Sequence, residues 1–126
     1  MKPTRILLID DDEKVKFNLK LFLEDEGFDC FAVETAEHAI KFLEEIHGEV
    51  DSAIVDIKLP GMSGEDFIPI MLNKYPLIKT IVHTGSTDYR CPEHFKKYNI
   101  TDSVVFNKPI QDLSKLVEKI NSLINE

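Results

Sequence analysis

Short apolar runs that are continuous, not alternating, constrain the fold of this chain more than any other feature. Residues 6–9 and 53–55 contain no polar side chain, which is typical of strands buried on both faces of a parallel sheet. Segments with apolar side chains at helical spacing separate such runs. Residues 13–26 form one of these segments, and Gly27 marks its end. The alternation predicts an α/β protein.

The whole chain can be divided in this way. The pattern predicts five strands, at residues 6–9, 28–33, 53–56, 78–84 and 104–106. It also predicts five helices, at residues 13–26, at 35–46, between the loop 60–64 and Pro76, at 92–98 and at 112–125. Right-handed crossovers leave few topologies for such a series. We therefore expect a flavodoxin-like, doubly wound fold with parallel strand order 2-1-3-4-5 and helices on both faces. Residues 1–126 are expected to form a single domain.

Composition excludes several classes of protein. The chain has 15 basic and 23 acidic residues and a net charge of −8, which argues against binding to nucleic acid. No signal peptide and no apolar stretch of the roughly 20 residues needed to span a membrane is present. The four histidines and two cysteines lack the spacing of a zinc site. These observations predict a cytoplasmic domain that does not bind membranes.

Polar residues follow four of the predicted strands. Asp10 and Asp11 follow the first, Asp56 ends the third, Thr84 ends the fourth and Lys108 follows the fifth. The carboxyl ends of parallel strands meet at one edge of a sheet, where this fold builds its sites. Carboxylates that meet there repel one another, and a hard cation with oxygen ligands, such as Mg²⁺, relieves the repulsion. A metal, a lysine, a hydroxyl and a nucleophilic carboxylate are the groups that phosphoryl transfer to aspartate needs.

Each of these residues also has an ordinary structural interpretation. The run Asp10–Asp12 is typical of a helix N-terminus, where the helix dipole favours acids. Asp56 alone could cap a turn, Thr84 alone is a common strand residue, and Lys108 alone could be solvated. Their occurrence together at four strand ends favours a site over four unrelated structural roles.

The chain resembles a response-regulator receiver domain of two-component signalling, the CheY-like family. The matching motifs are Ile6-Leu7-Leu8-Ile9-Asp10-Asp11-Asp12, residues 55–64, His83-Thr84-Gly85 and Asn107-Lys108-Pro109. The resemblance implies that Asp56 is the phosphoacceptor and that Thr84 and Lys108 hold the phosphoryl oxygens. It also implies that Mg²⁺ is bound by Asp56, by Asp11 directly, by Asp10 through water and by the backbone carbonyl of Lys58. Asp12 is expected to start the following helix.

The same resemblance implies partners. A sensor histidine kinase or a histidine phosphotransfer protein would donate the phosphoryl group to Asp56. A downstream protein target would then contact the changed surface. The chain would act as a phosphorylation switch in a two-component or phosphorelay pathway, and not as an enzyme for an external substrate.

One position departs from the family pattern. The family couples phosphorylation to a surface through the Thr84 position and an aromatic residue three places before the lysine, and this chain has Val105 there. Phe106 is expected to point to the other side of its strand. Lys58 and Ser86 occupy positions at which the family varies, and Lys58 is interpreted as solvated.

Two alternatives remain open. A phosphatase that forms an aspartyl-phosphate would need a second acid two places after its nucleophile, where this chain has Lys58, and usually a cap domain. A receiver that only binds a partner, without being phosphorylated, would be expected to lose its site residues. The sequence also leaves open whether the domain stands alone or belongs to a longer protein.

Overall fold

The computed structural model describes residues 2–126, which form five strands, four α-helices and two short 3₁₀ helices. The strands are β1 (Arg5–Ile9), β2 (Asp29–Val33), β3 (Ser52–Asp56), β4 (Lys79–Thr84) and β5 (Val105–Asn107). The α-helices are α1 (Glu13–Asp25), α2 (Ala36–Glu45), α3 (Gly64–Lys74) and α4 (Leu113–Ile124). The first 3₁₀ helix is Glu93–Tyr98 and the second is Asp102–Val104.

The strands form one parallel sheet in the order β2-β1-β3-β4-β5. The flavodoxin-like fold class expected from the sequence is therefore confirmed. β1 and β3 lie side by side at the centre, with Ile9 opposite Val55. Asp56 at the end of β3 is opposite His83 in β4, and Thr84 is opposite Asn107 in β5. This register brings the polar residues at the strand ends to one edge of the sheet.

Apolar side chains cover both faces of the sheet, as the continuous apolar runs predict. On one face the core contains Leu7, Ile9, Val55 and Val82 packed against α2, α3 and the first 3₁₀ helix. On the other face, side chains such as Leu8, Ile54 and Ile81 pack against α1 and α4. Alternate residues of each strand thus belong to opposite cores. The two cores, one on each face of the sheet, hold the strand ends in fixed relative positions.

The connection between β4 and β5 differs from the expectation. The sequence predicts a helix with Pro92 at its first position, but the segment Glu93–Tyr98 is a 3₁₀ helix and Pro92 lies before it as the N-cap. No side chain caps its start, and Asn99 ends it with a left-handed backbone (φ 62°). Six residues between these two boundaries give no room for the several turns that stabilise an α-helix.

Side-chain caps fix the starts of the α-helices. Asp12 accepts hydrogen bonds from the backbone N–H groups of Lys14 and Val15, which confirms it as the start of α1. Thr35 caps α2 in the same manner, as the sequence predicts.

Within the described residues, no helix is long and apolar enough to cross a membrane.

Candidate functional site

Three aspartates meet where β1 and β3 end. Oxygen atoms of Asp10, Asp11 and Asp56 all lie within 4.8 Å of one another. Asp10 is fully buried and Asp56 is 5 % exposed, whereas Asp11 is exposed. The three acids predicted to act together are therefore brought together, with Asp11 on the solvent side.

Lys108 reaches the same cluster from the end of β5. Its Nζ lies 2.8 Å from Asp10 Oδ2 and donates a hydrogen bond of 2.9 Å to Asp56 Oδ2. One cation thus bridges the two buried carboxylates. The backbone N–H of Lys108 donates to the carbonyl oxygen of Thr84 at 2.8 Å, so the lysine is anchored to the end of β4.

The loop after β3 fixes the orientation of Asp56. Its Oδ1 accepts a hydrogen bond from the backbone N–H of Lys58 at 3.2 Å. Gly64, the first residue of α3, lies against the carbonyl oxygen of Asp56, and a Cβ at Gly64 would lie 1.9 Å from that oxygen. Only glycine permits this approach. The start of α3 is therefore held directly behind Asp56.

Thr84 is buried at the end of β4 and starts the next loop. Its Oγ1 accepts a hydrogen bond from the backbone N–H of Ser86 at 3.1 Å, which leaves its own hydroxyl proton free to be donated. The carbonyl oxygen of Ser86 accepts a hydrogen bond from the Asn107 side chain at 2.8 Å. Thr84 is thus linked to both the loop and the end of β5.

Burial and charge shift the pKa values of Asp56 and Lys108 in opposite directions. Burial raises the pKa of Asp56 above its ordinary value, and the contacts with Lys108 only partly offset that effect. Burial alone would lower the pKa of Lys108, but its contacts with Asp10 and Asp56 together outweigh burial and raise it. Lys108 therefore stays protonated at neutral pH.

His83 lies directly beside this cluster, which the sequence does not indicate. It is 3 % exposed, and its Nδ1 lies 3.9 Å from Asp10 Oδ2. Burial, aided by the charge of Lys108, lowers the pKa of His83 to about 4. Within residues 2–126, neither ring nitrogen has a hydrogen-bond partner. The imidazole is therefore an uncharged member of the site.

Among the residues that the structure describes, two further predicted ones, Lys58 and Val105, do not hydrogen-bond to the cluster through their side chains. The Lys58 side chain is exposed, in agreement with its interpretation as solvated, while its N–H contacts Asp56. Val105 is half-buried and packs on the α2–α3 side of the sheet, while Phe106 packs on the α1–α4 side, as predicted from strand geometry. Both side chains are apolar and contribute packing to the two cores.

Two hydrogen bonds between loops and helices around the site are not predictable from the sequence. The Tyr89 hydroxyl donates to Glu65 Oε2 at 2.9 Å, and the backbone N–H of Met62 donates to Glu37 Oε2 at 3.1 Å. Each joins residues about 25 positions apart. No periodic pattern or motif marks such a pair.

The donor set fits Mg²⁺. All three acidic side chains offer oxygen, which Mg²⁺ prefers, and Lys108 contacts two of the three carboxylates, those of Asp10 and Asp56. Asp10 Oδ2 is buried and accepts no well-directed hydrogen bond from the described residues, although Lys108 Nζ is close. Buried carboxylate oxygens are normally satisfied, so a cation or its bound water suits this position.

Comparison with known proteins decides the family. The family model for the response regulator receiver domain matches residues 6–121. The chain belongs to the response regulator receiver domain family. The matched residues include Asp56 and Thr84 at the ends of their strands and Lys108 directly after β5.

Individual relatives agree. The chain is 34% identical over 76 residues to the regulatory protein VanR of Enterococcus faecium, which covers 59% of this chain and 32% of VanR. A CheY-like receiver domain protein from Methanospirillum hungatei has a similar structure, with a TM-score of 0.81, 27% identity and coverage of 98% and 95% of the two chains. The chain thus spans only about a third of VanR.

One similar structure contains ligands. The response regulator TrrA from Thermotoga maritima was solved in complex with Mg²⁺ and BeF. TrrA is 26% identical to this chain, with a TM-score of 0.73, and the match covers 95% of this chain and 98% of TrrA. That protein, whose fold this chain shares, therefore binds Mg²⁺ together with BeF.

Proposed function

We propose that this receiver domain is a phosphoacceptor switch in which Asp56 takes a phosphoryl group from a partner histidine. The observation that carries the proposal is the arrangement around Asp56. A nearly buried carboxylate lies within hydrogen-bond distance of Lys108 and beside two further aspartates, at the edge where β1, β3 and β5 end. This arrangement supplies a nucleophile, a fixed cation and a set of metal ligands in one place.

The chemistry follows from the side chains. A carboxylate oxygen of Asp56 attacks phosphorus, the bond from phosphorus to the donor nitrogen breaks, and the electron pair stays on the donor imidazole. Lys108, which remains protonated, pairs with a phosphoryl oxygen, and the Thr84 hydroxyl donates to another. Mg²⁺, when held by Asp10, Asp11, Asp56 and the Lys58 carbonyl, supplies positive charge that offsets the carboxylates and the incoming phosphoryl group.

The partners follow from the same chemistry. The described part of the chain offers no exposed histidine at the Asp56 cluster, because His83 is buried and uncharged. We infer that the donor histidine belongs to a sensor kinase or to a phosphotransfer protein. A downstream protein then recognises the changed surface, and the domain acts as a switch without turning over an external substrate.

Substitution of the acceptor tests this function. Asp56→Asn keeps the size of the side chain and removes its nucleophilic oxygen, so we expect no labelling by acetyl phosphate with Mg²⁺. Intact-mass spectra measure the adduct. Asp66→Asn, which changes an exposed aspartate of α3, serves as the matched control and should label like the natural chain.

Three results would contradict the proposal. A full phosphoryl adduct on Asp56→Asn would place the acceptor elsewhere. No adduct on the natural chain would favour a receiver that only binds a partner. Release of many equivalents of phosphate from a small phosphoester would favour a phosphatase.

A further inference from the structure

The loop at residues 85–91 is attached to the rest of the molecule at both ends. At its start, Ser86 donates its N–H to Thr84 Oγ1 and accepts a hydrogen bond from Asn107. At its end, the N–H of Cys91 donates to Asp102 Oδ1 at 2.9 Å. A displacement of Thr84 is therefore passed to the loop through Ser86.

Tyr89 connects the middle of this loop to α3. Its hydroxyl donates to Glu65 Oε2 at 2.9 Å, and its N–H donates to the Ser86 carbonyl oxygen at 3.3 Å. Its half-buried ring packs against the core on the α2–α3 side. Burial and the hydrogen bond to Glu65 raise the pKa of Tyr89, so the phenol is the proton donor at neutral pH. Tyr89 thus joins a loop that starts at Thr84 to a helix that starts beside Asp56.

The two ends of this hydrogen bond are held in different ways. Glu65 follows Gly64, whose backbone lies directly against the Asp56 carbonyl oxygen and fixes the start of α3. Tyr89 lies in a segment without regular secondary structure, between β4 and the first 3₁₀ helix. When the loop moves with Thr84, the backbone of Glu65 stays in place beside Gly64 and Asp56. We therefore expect the distance from the Tyr89 hydroxyl to Glu65 Oε2 to change.

We propose that Tyr89 reports phosphorylation in this chain: its hydrogen bond to Glu65 holds the loop in the resting position, and movement of Thr84 toward the phosphoryl group breaks it. This inference rests on the proposed function, since it needs a phosphoryl group on Asp56. Val105 has no aromatic ring that could move in response to phosphorylation. Movement of Tyr89 would displace an aromatic ring and leave the Glu65 carboxylate without this hydrogen bond.

The hydrogen bond from Tyr89 to Glu65 should also change the affinity for beryllofluoride, because ligand binding and the conformational change are thermodynamically linked. A hydrogen bond that exists only in the resting state opposes the change to the phosphorylated state. Its removal makes that change easier. We expect Tyr89→Phe, which keeps the ring, to bind beryllofluoride about threefold to tenfold more tightly in the presence of Mg²⁺. Glu65→Ala should shift the affinity in the same direction.

A double-mutant cycle tests the coupling. Beryllofluoride titrations give the dissociation constants of the natural chain, both single variants and the Tyr89→Phe/Glu65→Ala double variant. The double variant should bind no more tightly than Tyr89→Phe alone, because both substitutions remove one hydrogen bond. Tyr98→Phe is the matched control: its hydroxyl donates to Asn73 Oδ1 at 3.0 Å, away from the Asp56 cluster, and its loss should leave the affinity unchanged.

A second measurement follows the ring directly. The chain has three tyrosines and no tryptophan, so ring-selective NMR resolves few signals. Beryllofluoride should shift the Tyr89 ring signals more than those of Tyr75 and Tyr98. An unchanged or weaker affinity of Tyr89→Phe, or additive effects in the cycle, would overturn the inference. Failure of the natural chain to label with acetyl phosphate would instead overturn the proposed function.

Discussion

His83 is an uncharged side chain among charged ones, and its burial has a consequence for stability. Its ordinary pKa of 6.5 falls to about 4 in the folded chain. Between these two values the unfolded chain binds a proton that the folded chain does not. The free energy of unfolding therefore falls as the pH decreases from about 6.5 toward 4, and His83 contributes no pH dependence above that range.

Replacement of His83 should remove this sensitivity. Between pH 8 and pH 5 we expect the natural chain to lose about 2 kcal/mol more of its free energy of unfolding than His83→Leu loses. Urea unfolding at the two pH values measures the difference, in which the packing change largely cancels. His94→Gln replaces an exposed histidine as the control. Equal pH dependence in His83→Leu and the natural chain would contradict the assignment.

Some residues of the site are predictable from the sequence, and other contacts of the site are not. Asp10, Asp56 and Lys108 are predictable from sequence, because each ends or follows an apolar strand and topology brings strand ends together. The bond from Tyr89 to Glu65 depends on the path of a loop, and no local pattern records that path. The roles of the predicted residues in phosphoryl transfer stay predictions until the variants are measured.

The β4–β5 connection is the element expected to change on phosphorylation. Thr84 starts this connection, and under the proposed function the charge of a phosphoryl group on Asp56 would draw the Thr84 hydroxyl toward it. We expect the largest amide chemical-shift changes on addition of beryllofluoride with Mg²⁺ at residues 84–93. Asp56→Asn, which lacks the acceptor, should show no such changes. Largest changes at a distant surface, such as α1 beyond Leu19, would contradict this route.

Element boundaries were predictable where the sequence supplies a cap and a long apolar period. α2 starts directly after Thr35 and α4 directly after Asp112, each within one residue of the predicted start at 35 or 112. The segment after Pro92 has neither a capping side chain nor enough length, so its 3₁₀ form depends on packing of Phe95 into the core. Helical period alone does not distinguish the two kinds of helix over six residues.

At the scale of the whole molecule, the net charge of −8 and the Asp56 cluster both predict a response to cations. A ligand that binds only the folded state adds about 1.4 kcal/mol at ten times its dissociation constant. Millimolar Mg²⁺ should therefore raise the melting temperature by several degrees, and Asp11→Ala should reduce the rise.

Screening of the general negative charge is a separate effect. Sodium chloride at the same ionic strength reproduces the screening without occupying the cluster, so it should raise the melting temperature less than Mg²⁺. An equal response to Mg²⁺ in Asp11→Ala and the natural chain would exclude Asp11 as a ligand.

The short β5 strand has a consequence for the energetics of signalling. It has three residues and pairs with β4 alone at the edge of the sheet, whereas β1 and β3 are paired on both sides. Its amide protons should exchange with deuterium by local opening, faster than those of β1 and β3, which need global unfolding. The strand expected to open more easily than the central ones thus carries Asn107 and precedes Lys108, so a phosphoryl group on Asp56 would act on a part of the sheet with little pairing to lose.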